Sequence, residues 1–277
     1  MEEYTGYRMI YIADDELSKF YSEQVLPESF ELKENEYLIL TDKEGKAIDY
    51  YCNSDGVLRR VSYPAIESTF SGSIKPLDPY QYCAIDLLQQ SSVPVKLIRG
   101  VYGSGKDYLM FNQALSLIEK GKFDKLVFIR PNVTLANVPQ IGYLPNGIEE
   151  KLGWTMAPLY DKIGGEEGIK QLEQQGVFEM VPLLFIRGRS FENSLVYVTE
   201  AQNIDSRIAK VLLSRIGKGS ELWLNGDNHN QTDSQVFEKD NGFQLMIERL
   251  SGHRLFGYVY LPITHRSEVA NLSNLLD

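Results

Sequence analysis

Thiols, histidines and long apolar runs are all scarce in this sequence, and each scarcity removes a class of protein. Cys52 and Cys83 are the only cysteines among 277 residues. Two are too few for a thiolate metal cage or a disulfide-rich scaffold, and separate thiols are the expected state. The three histidines, His229, His253 and His265, are never paired at ligand spacing, which disfavours structural zinc. No stretch approaches the ~18 consecutive apolar residues of a membrane span. The opening MEEYTGYRMI lacks the basic and apolar regions of a secretory signal, so a cytoplasmic protein without a membrane partner is expected. An excess of basic charge is missing too: 28 Lys and Arg face 38 Asp and Glu, for a net −10. Phosphate contacts dominate affinity for duplex DNA, so a broadly basic DNA-coating domain is disfavoured. A locally basic cleft or pore stays open, because net charge says nothing about distribution.

What is present is enough for a substantial core. Hydrophobic residues make up 43% and charged residues 24%, which excludes wholesale disorder. At about 150 residues per domain the chain amounts to nearly two domains. Residues 1–75 have the texture of a small β-rich region. A short helical pattern, DDELSKFYSEQV, is followed by EYLILTD, KAIDYYC and GVLRRVSYP, runs rich in Tyr, Val, Ile and Leu that are separated by turn residues. Such runs fit antiparallel strands joined by hairpins. SGSIKPLDPY then discourages continuous structure. Residues 76–277 alternate helical patterns (YCAIDLLQQ, KDYLMFNQALSLIEKG, IDSRIAKVLLSRIG) with short apolar runs (VKLIR, KLVFIR, LVYVT, ELWLNG, GYVYL). That rhythm predicts an α/β fold with a largely parallel sheet.

The strongest local motif is Gly100-Val101-Tyr102-Gly103-Ser104-Gly105-Lys106-Asp107, which fits G-x-x-x-x-G-K between an apolar run and a helical pattern. Glycines let the backbone curl so that amide groups face phosphate oxygens. The helix N-terminus adds its dipole, and Lys106 reaches the outer phosphates. One position departs from the pattern: a Ser or Thr hydroxyl normally follows the lysine and binds magnesium, and here Asp107 stands there. A second departure mirrors it. LVYVTEAQN places Thr199 and Glu200 at a strand end where many P-loop ATPases carry Asp-Glu. Glu200 keeps the water-polarising position, while Thr199 replaces the magnesium-shell carboxylate. Two readings stand: the swaps compensate, with Asp107 and Thr199 holding magnesium together, or the magnesium site has degenerated.

Several ordered segments resemble the PhoH-like family of P-loop ATPases, whose core is related to superfamily 1 helicases. They are KPLDPYQYCAIDLL, GVYGSGKD, FIRPNV, GYLPNGIEEKLGWTMAPLYD, FIRGRSFENSLVYVTEAQN, LLSRIGKGSELWLNGDNHNQTD and LPITHRSEVANLSNLL. ELKENEYLILTD also resembles the connecting β region of longer members, which carry a PIN ribonuclease domain ahead of it. Only 30 residues precede that segment here, too few for such a domain, so a nuclease would be a separate partner.

The resemblance implies a P-loop NTPase fold of the RecA or helicase type, with ATP and magnesium as cofactors. It implies that Gln81 reads adenine and that residues 100–107 bind phosphates. Gln202 would sense the terminal phosphate beside Glu200. Asp227 or Gln231, in the Gly226-Asp227…Gln231…Asp233 turn, would orient water or relay to substrate. Arg130 and Pro131 would contact nucleic acid or relay closure, and Arg187 and Arg189 would touch phosphate or a subunit. Arg266 would be an arginine finger, delivered by a neighbouring subunit in a homo-oligomer, with a hexameric ring as the family's form. The function so implied is magnesium-dependent ATP hydrolysis coupled to binding, unwinding or translocation on single-stranded RNA. The alternative is a non-hydrolysing nucleotide-binding structural or regulatory module; a small-molecule kinase is a more distant third.

Overall fold

The computed structural model describes residues 3–23, 31–62, 65–69, 72–131, 165–227, 237 and 239–266. By internal contacts the chain forms two compact units: residues 1–64, 76–106 and 246–277 in the first, 65–75 and 107–245 in the second.

The first unit begins with a four-stranded sheet, β1 (Tyr7–Tyr11), β2 (Tyr37–Thr41), β3 (Ala47–Ser54) and β4 (Val57–Arg60), in that order. The expected hairpins are present, since β2, β3 and β4 run antiparallel. The first strand differs: β1 lies parallel to β2, in register from Tyr7↔Tyr37 to Tyr11↔Thr41. Parallel neighbours need a long crossover, and the connection containing helix α1 (Asp14–Glu23) supplies one. Phe20 of α1 is fully buried with Ile12, Leu38, Leu40 and Tyr51, and its ring meets Tyr51 edge-on at 5.0 Å.

Helix α2 (Pro79–Gln89) starts as its sequence directs. Pro79 occupies the first turn, and Asp78 accepts from the backbone N–H groups of Tyr80 (2.8 Å) and Gln81 (2.7 Å). The tyrosines of the N-terminal strands pack on this helix. Tyr50 stacks on Tyr82 at 4.1 Å, and Tyr7 meets Tyr80 at 4.9 Å. Between them Asp86, almost fully buried, receives the Tyr37 hydroxyl (2.8 Å), the Arg59 guanidinium (2.6 and 3.2 Å) and the Gln90 amide (2.8 Å). Cys52 and Cys83 are buried free thiols, and burial pushes Cys52 up to about 12. The unit is completed by β7 (Val95–Gly100) and β12 (Phe256–Leu261), paired in parallel.

The second unit opens with the hairpin β5 (Ile66–Ser68) and β6 (Gly72–Ile74). It holds β8 (Lys125–Ile129), β9 (Phe178–Met180), β10 (Ser194–Val198) and β11 (Glu221–Gly226), in the order β11-β10-β8-β9. Every pairing among these four is parallel. All of β10 and β11 is buried, as their near-continuous apolar sequences require of strands covered on both faces. Among the described residues its α-helices are α3 (Lys106–Glu119), which begins at the last residue of the first unit, then α4 (Glu166–Gln174), α5 (Ser206–Arg215) and α6 (Gly242–Leu250), which continues into the first unit. The six parallel strands and their helices make this an α/β protein of P-loop NTPase type. Among the described residues no helix is long and apolar enough to cross a membrane.

Asp86→Ala should lower the unfolding free energy by about 3 kcal/mol, because the buried Tyr37 hydroxyl loses its acceptor and Arg59 its counter-charge. Tyr37→Phe alone should cost about 1–2 kcal/mol. In urea denaturation the double variant should be little worse than Asp86→Ala, since both remove one shared bond.

Candidate functional site

The phosphate-loop sequence leaves β7 at Gly100 and enters α3 at Lys106. Gly103 (φ 73) and Gly105 (φ 85) take left-handed backbone that a side chain would strain. Space is tight there as well. A Cβ on Gly105 would lie 2.9 Å from Gln81 Nε2, and one on Gly103 would lie 2.6 Å from Arg266 Cγ. Gln81 is buried, its Nε2 donating to Ser104 O at 2.9 Å and its Oε1 accepting from Leu77 N–H at 2.9 Å. The amide edge expected to read adenine is thus engaged in bracing the loop.

Arg266 lies against its own chain's loop. His265 N–H donates to Gly103 O at 3.0 Å, and its ring Nε2 lies 2.5 Å from Asp78 Oδ2. Asp78 Oδ1 meanwhile caps α2, so one carboxylate ties the chain after β12 to the helix that braces the loop. The guanidinium of Arg266 sits 5.2 Å from the Tyr102 ring, and Lys106 Nζ lies 5.9 Å from the same ring. Both cations therefore lie near the exposed Tyr102 ring. Within the single chain Arg266 thus already stands beside the loop.

The second unit carries the acidic residues. Parallel register pairs Val198 with Leu224, so Thr199 and Asn225 follow side by side at the carboxyl ends of β10 and β11. Thr199 Oγ1 lies 2.9 Å from Asp107 Oδ1 and 3.1 Å from Asn225 Oδ1. Asn225 Nδ2 donates to Asp107 Oδ1 (2.8 Å) and to the Tyr197 hydroxyl (2.5 Å), and that hydroxyl donates to Asp107 Oδ1 at 3.2 Å. The two exchanged positions, Asp107 and Thr199, are in direct contact. Burial and the Asp107 charge hold the Tyr197 hydroxyl well above the ordinary phenol range, so it remains a donor.

Glu200 follows in left-handed backbone (φ 53, ψ 38), a conformation that costs a non-glycine residue about 1 kcal/mol or more and clusters at functional sites. Its carboxylate Oε2 accepts from Gln202 Nε2 at 2.7 Å, while Gln202 Oε1 accepts from Asp227 N–H at 3.1 Å. Desolvation raises the Glu200 carboxyl above its usual range. The nearby Asp227 and Asp107 charges act in the same direction, opposed by the Gln202 bond and the Arg130 charge. Arg130 thus acts electrostatically on Glu200. Arg189, expected to touch phosphate or a subunit, instead forks onto Glu179 at 2.8 and 3.0 Å, with Lys125 joining at 3.2 Å. Arg187 is exposed and Pro131 buried. His229, Gln231, Asp233 and the GYLPNGIEEKLGWTMAPLYD segment lie outside the described residues.

The donors fit magnesium. Adjacent oxygens of an octahedron with bonds of 2.0–2.1 Å stand about 2.9 Å apart. Asp107 Oδ1 and Thr199 Oγ1, a carboxylate and a hydroxyl, stand 2.9 Å apart. Among the described residues no three His, Cys, Asp or Glu side chains converge on a metal position. Magnesium needs no such cage, since it takes one or two protein oxygens and completes its shell with phosphate and water. Sequence reasoning missed Asn225 and Tyr197. The signal was there in the amide that follows Leu224 in ELWLN and the phenol between the valines of LVYVT.

Comparison with known proteins identifies the family. A family model described as PhoH-like protein matches residues 73–270. Protein PhoH2 of Bacillus subtilis (strain 168) is 30% identical over 288 residues, covering 98% of this chain and 64% of that protein. Protein PhoH2 of Mycolicibacterium smegmatis is 35% identical over 197 residues, covering 69% of this chain and 44% of its own length. A PhoH-like protein of Synechocystis sp. is 34% identical over 149 residues, 53% of this chain and 44% of that protein. The chain therefore spans less than two thirds of the length of these relatives. The phosphate loop, the Thr199-Glu200 strand end and the Gly226-Asp227 turn all fall inside the matched span, and the chain belongs to the PhoH-like family, of the nucleotide-binding P-loop NTPase kind.

Proposed function

We propose that this chain is an ATPase that hydrolyses ATP with magnesium and couples the cycle to binding, unwinding or translocation on single-stranded RNA. The observation that carries hydrolysis, beyond binding, is Glu200: a desolvated carboxylate in strained backbone, oriented through Gln202 by the Asp227 backbone. A carboxylate whose pKa is raised toward neutrality is a better base at neutral pH, and its fixed orientation lowers the cost of aligning water. Lys106 and the loop amides would hold the phosphates, and Gln202 would report the terminal one. Arg266, on the loop of its own chain, would add positive charge as the phosphoryl group departs. Magnesium, when bound, supplies charge neutralisation at the transferring phosphate. RNA coupling and a ring of identical chains rest on the likeness to the PhoH-like family.

One observation favours the second reading, binding without turnover. Three neutral donors converge on Asp107 Oδ1, so the chain itself stabilises that carboxylate. Magnesium-dependent phosphate release from ATP, measured with and without single-stranded RNA, decides between the two. Release that RNA stimulates is the expected result, whereas ATP binding without release selects the second reading.

Glu200→Gln should leave ATP affinity within about threefold and lower kcat by about a hundredfold or more. Lys106→Ala should abolish measurable ATP binding. Glu200→Gln should also stabilise the fold at neutral pH. A carboxyl group raised in the native state binds its proton more tightly there than when unfolded. Wild-type stability therefore falls as pH rises from the ordinary carboxylate range through the raised value. The melting-temperature gap between variant and wild type should be absent below that window and full above it.

A further inference from the structure

Asn225 occupies a position where hydrogen counting constrains what its neighbours can do. The atom facing Glu200 N–H at 3.3 Å must be the side-chain oxygen, because a backbone N–H can only donate. That orients the amide: Oδ1 faces Glu200 and Thr199, and Nδ2 faces Asp107 and Tyr197. Thr199 Oγ1 then stands between two acceptors, Asp107 Oδ1 at 2.9 Å and Asn225 Oδ1 at 3.1 Å, with one hydrogen to give. The carboxylate is the stronger acceptor and the nearer one, so without a cation that hydrogen belongs to Asp107.

A cation held by both Asp107 and Thr199 reverses this. Their facing lone pairs must both turn to the metal, and the Thr199 hydrogen must leave the line between them. We propose that Asn225 is the positioning residue that enables this exchange: its Oδ1 receives the Thr199 hydrogen and so frees Thr199 Oγ1 and Asp107 Oδ1 to hold magnesium together. Its Nδ2 meanwhile keeps Asp107 Oδ1 aimed at Thr199. The two exchanged residues thus work as a set of three, and a Thr at position 199 needs an acceptor beside it that the usual Asp would not. This rests on the nucleotide-binding reading above and adds to it the residue that makes the altered magnesium site competent.

The test is a double-variant cycle on the full chain. Manganese(II) affinity is measured by electron paramagnetic resonance in the presence of a non-hydrolysable ATP analogue, and analogue affinity is measured separately without metal. Asn225→Leu and Thr199→Val should each weaken manganese binding by about tenfold. The double variant should be no weaker than either single one, and metal-free analogue binding should stay unchanged. A second measurement leaves Asn225 intact: its side-chain carbonyl carbon, followed by NMR, should shift on addition of magnesium with the analogue but not with the analogue alone. Thr199→Val should abolish that shift. Unchanged manganese affinity in Asn225→Leu, additive losses in the double variant, or a carbonyl signal indifferent to magnesium each overturn the proposal. Equal weakening with and without metal would show a merely structural role and overturn it as well. A wild-type chain that binds no analogue at all overturns the nucleotide reading itself, which separates the two failures.

Discussion

The buried carboxylate of Asp86 is the constraint on which the first unit depends. It gathers a tyrosine from β2, an arginine from the end of β4 and the glutamine that caps the C-terminus of its own helix. A charge so far from water persists only where each lone pair finds a donor, so these elements must arrive together. Helix α2, once seated by this contact and by the Tyr50–Tyr82 stack, presents Gln81 to Ser104 O and Asp78 to His265. The tyrosine-rich strands at the N-terminus therefore serve the phosphate loop at one remove: they fix the helix that braces it.

A second carboxylate organises the other unit by different means. Asp107 stands where the family pattern has a hydroxyl, and the structure surrounds its Oδ1 with neutral donors from Thr199, Asn225 and Tyr197. The exchange with Thr199 keeps one carboxylate and one hydroxyl in contact, so the local charge is retained although each position has changed. Glu200 beside it carries two costs, left-handed backbone and desolvation of its carboxylate, and both concentrate where chemistry is expected.

Much of the architecture was legible in the chain. The strands β7, β8, β10, β11 and β12 read as short apolar runs because both their faces are covered. Helix α2 announced its start through Asp78 and Pro79. Less visible were β9, only three residues long, and α4, a helix with few apolar positions. The parallel pairing of β1 with β2 was hidden because short alternating runs carry no mark of direction. Gln81 and Arg189 were recognised as polar residues with work to do, but their partners, Ser104 O and Glu179, were not.

The sequence by itself determined the class of fold, the position and composition of the phosphate loop, and the acidic strand end with its glutamate. These depend on residues close together in the chain: glycines that permit a turn, an apolar run that must be buried, a polar residue where that run stops. Only the tertiary structure decided that Thr199 touches Asp107, that Asn225 meets both, and that Arg266 rests on its own chain's loop. Those pairings join residues from 26 to more than 160 positions apart. They follow from strand register and from the rule that a buried polar atom must find a partner, and neither is written in any local stretch of sequence.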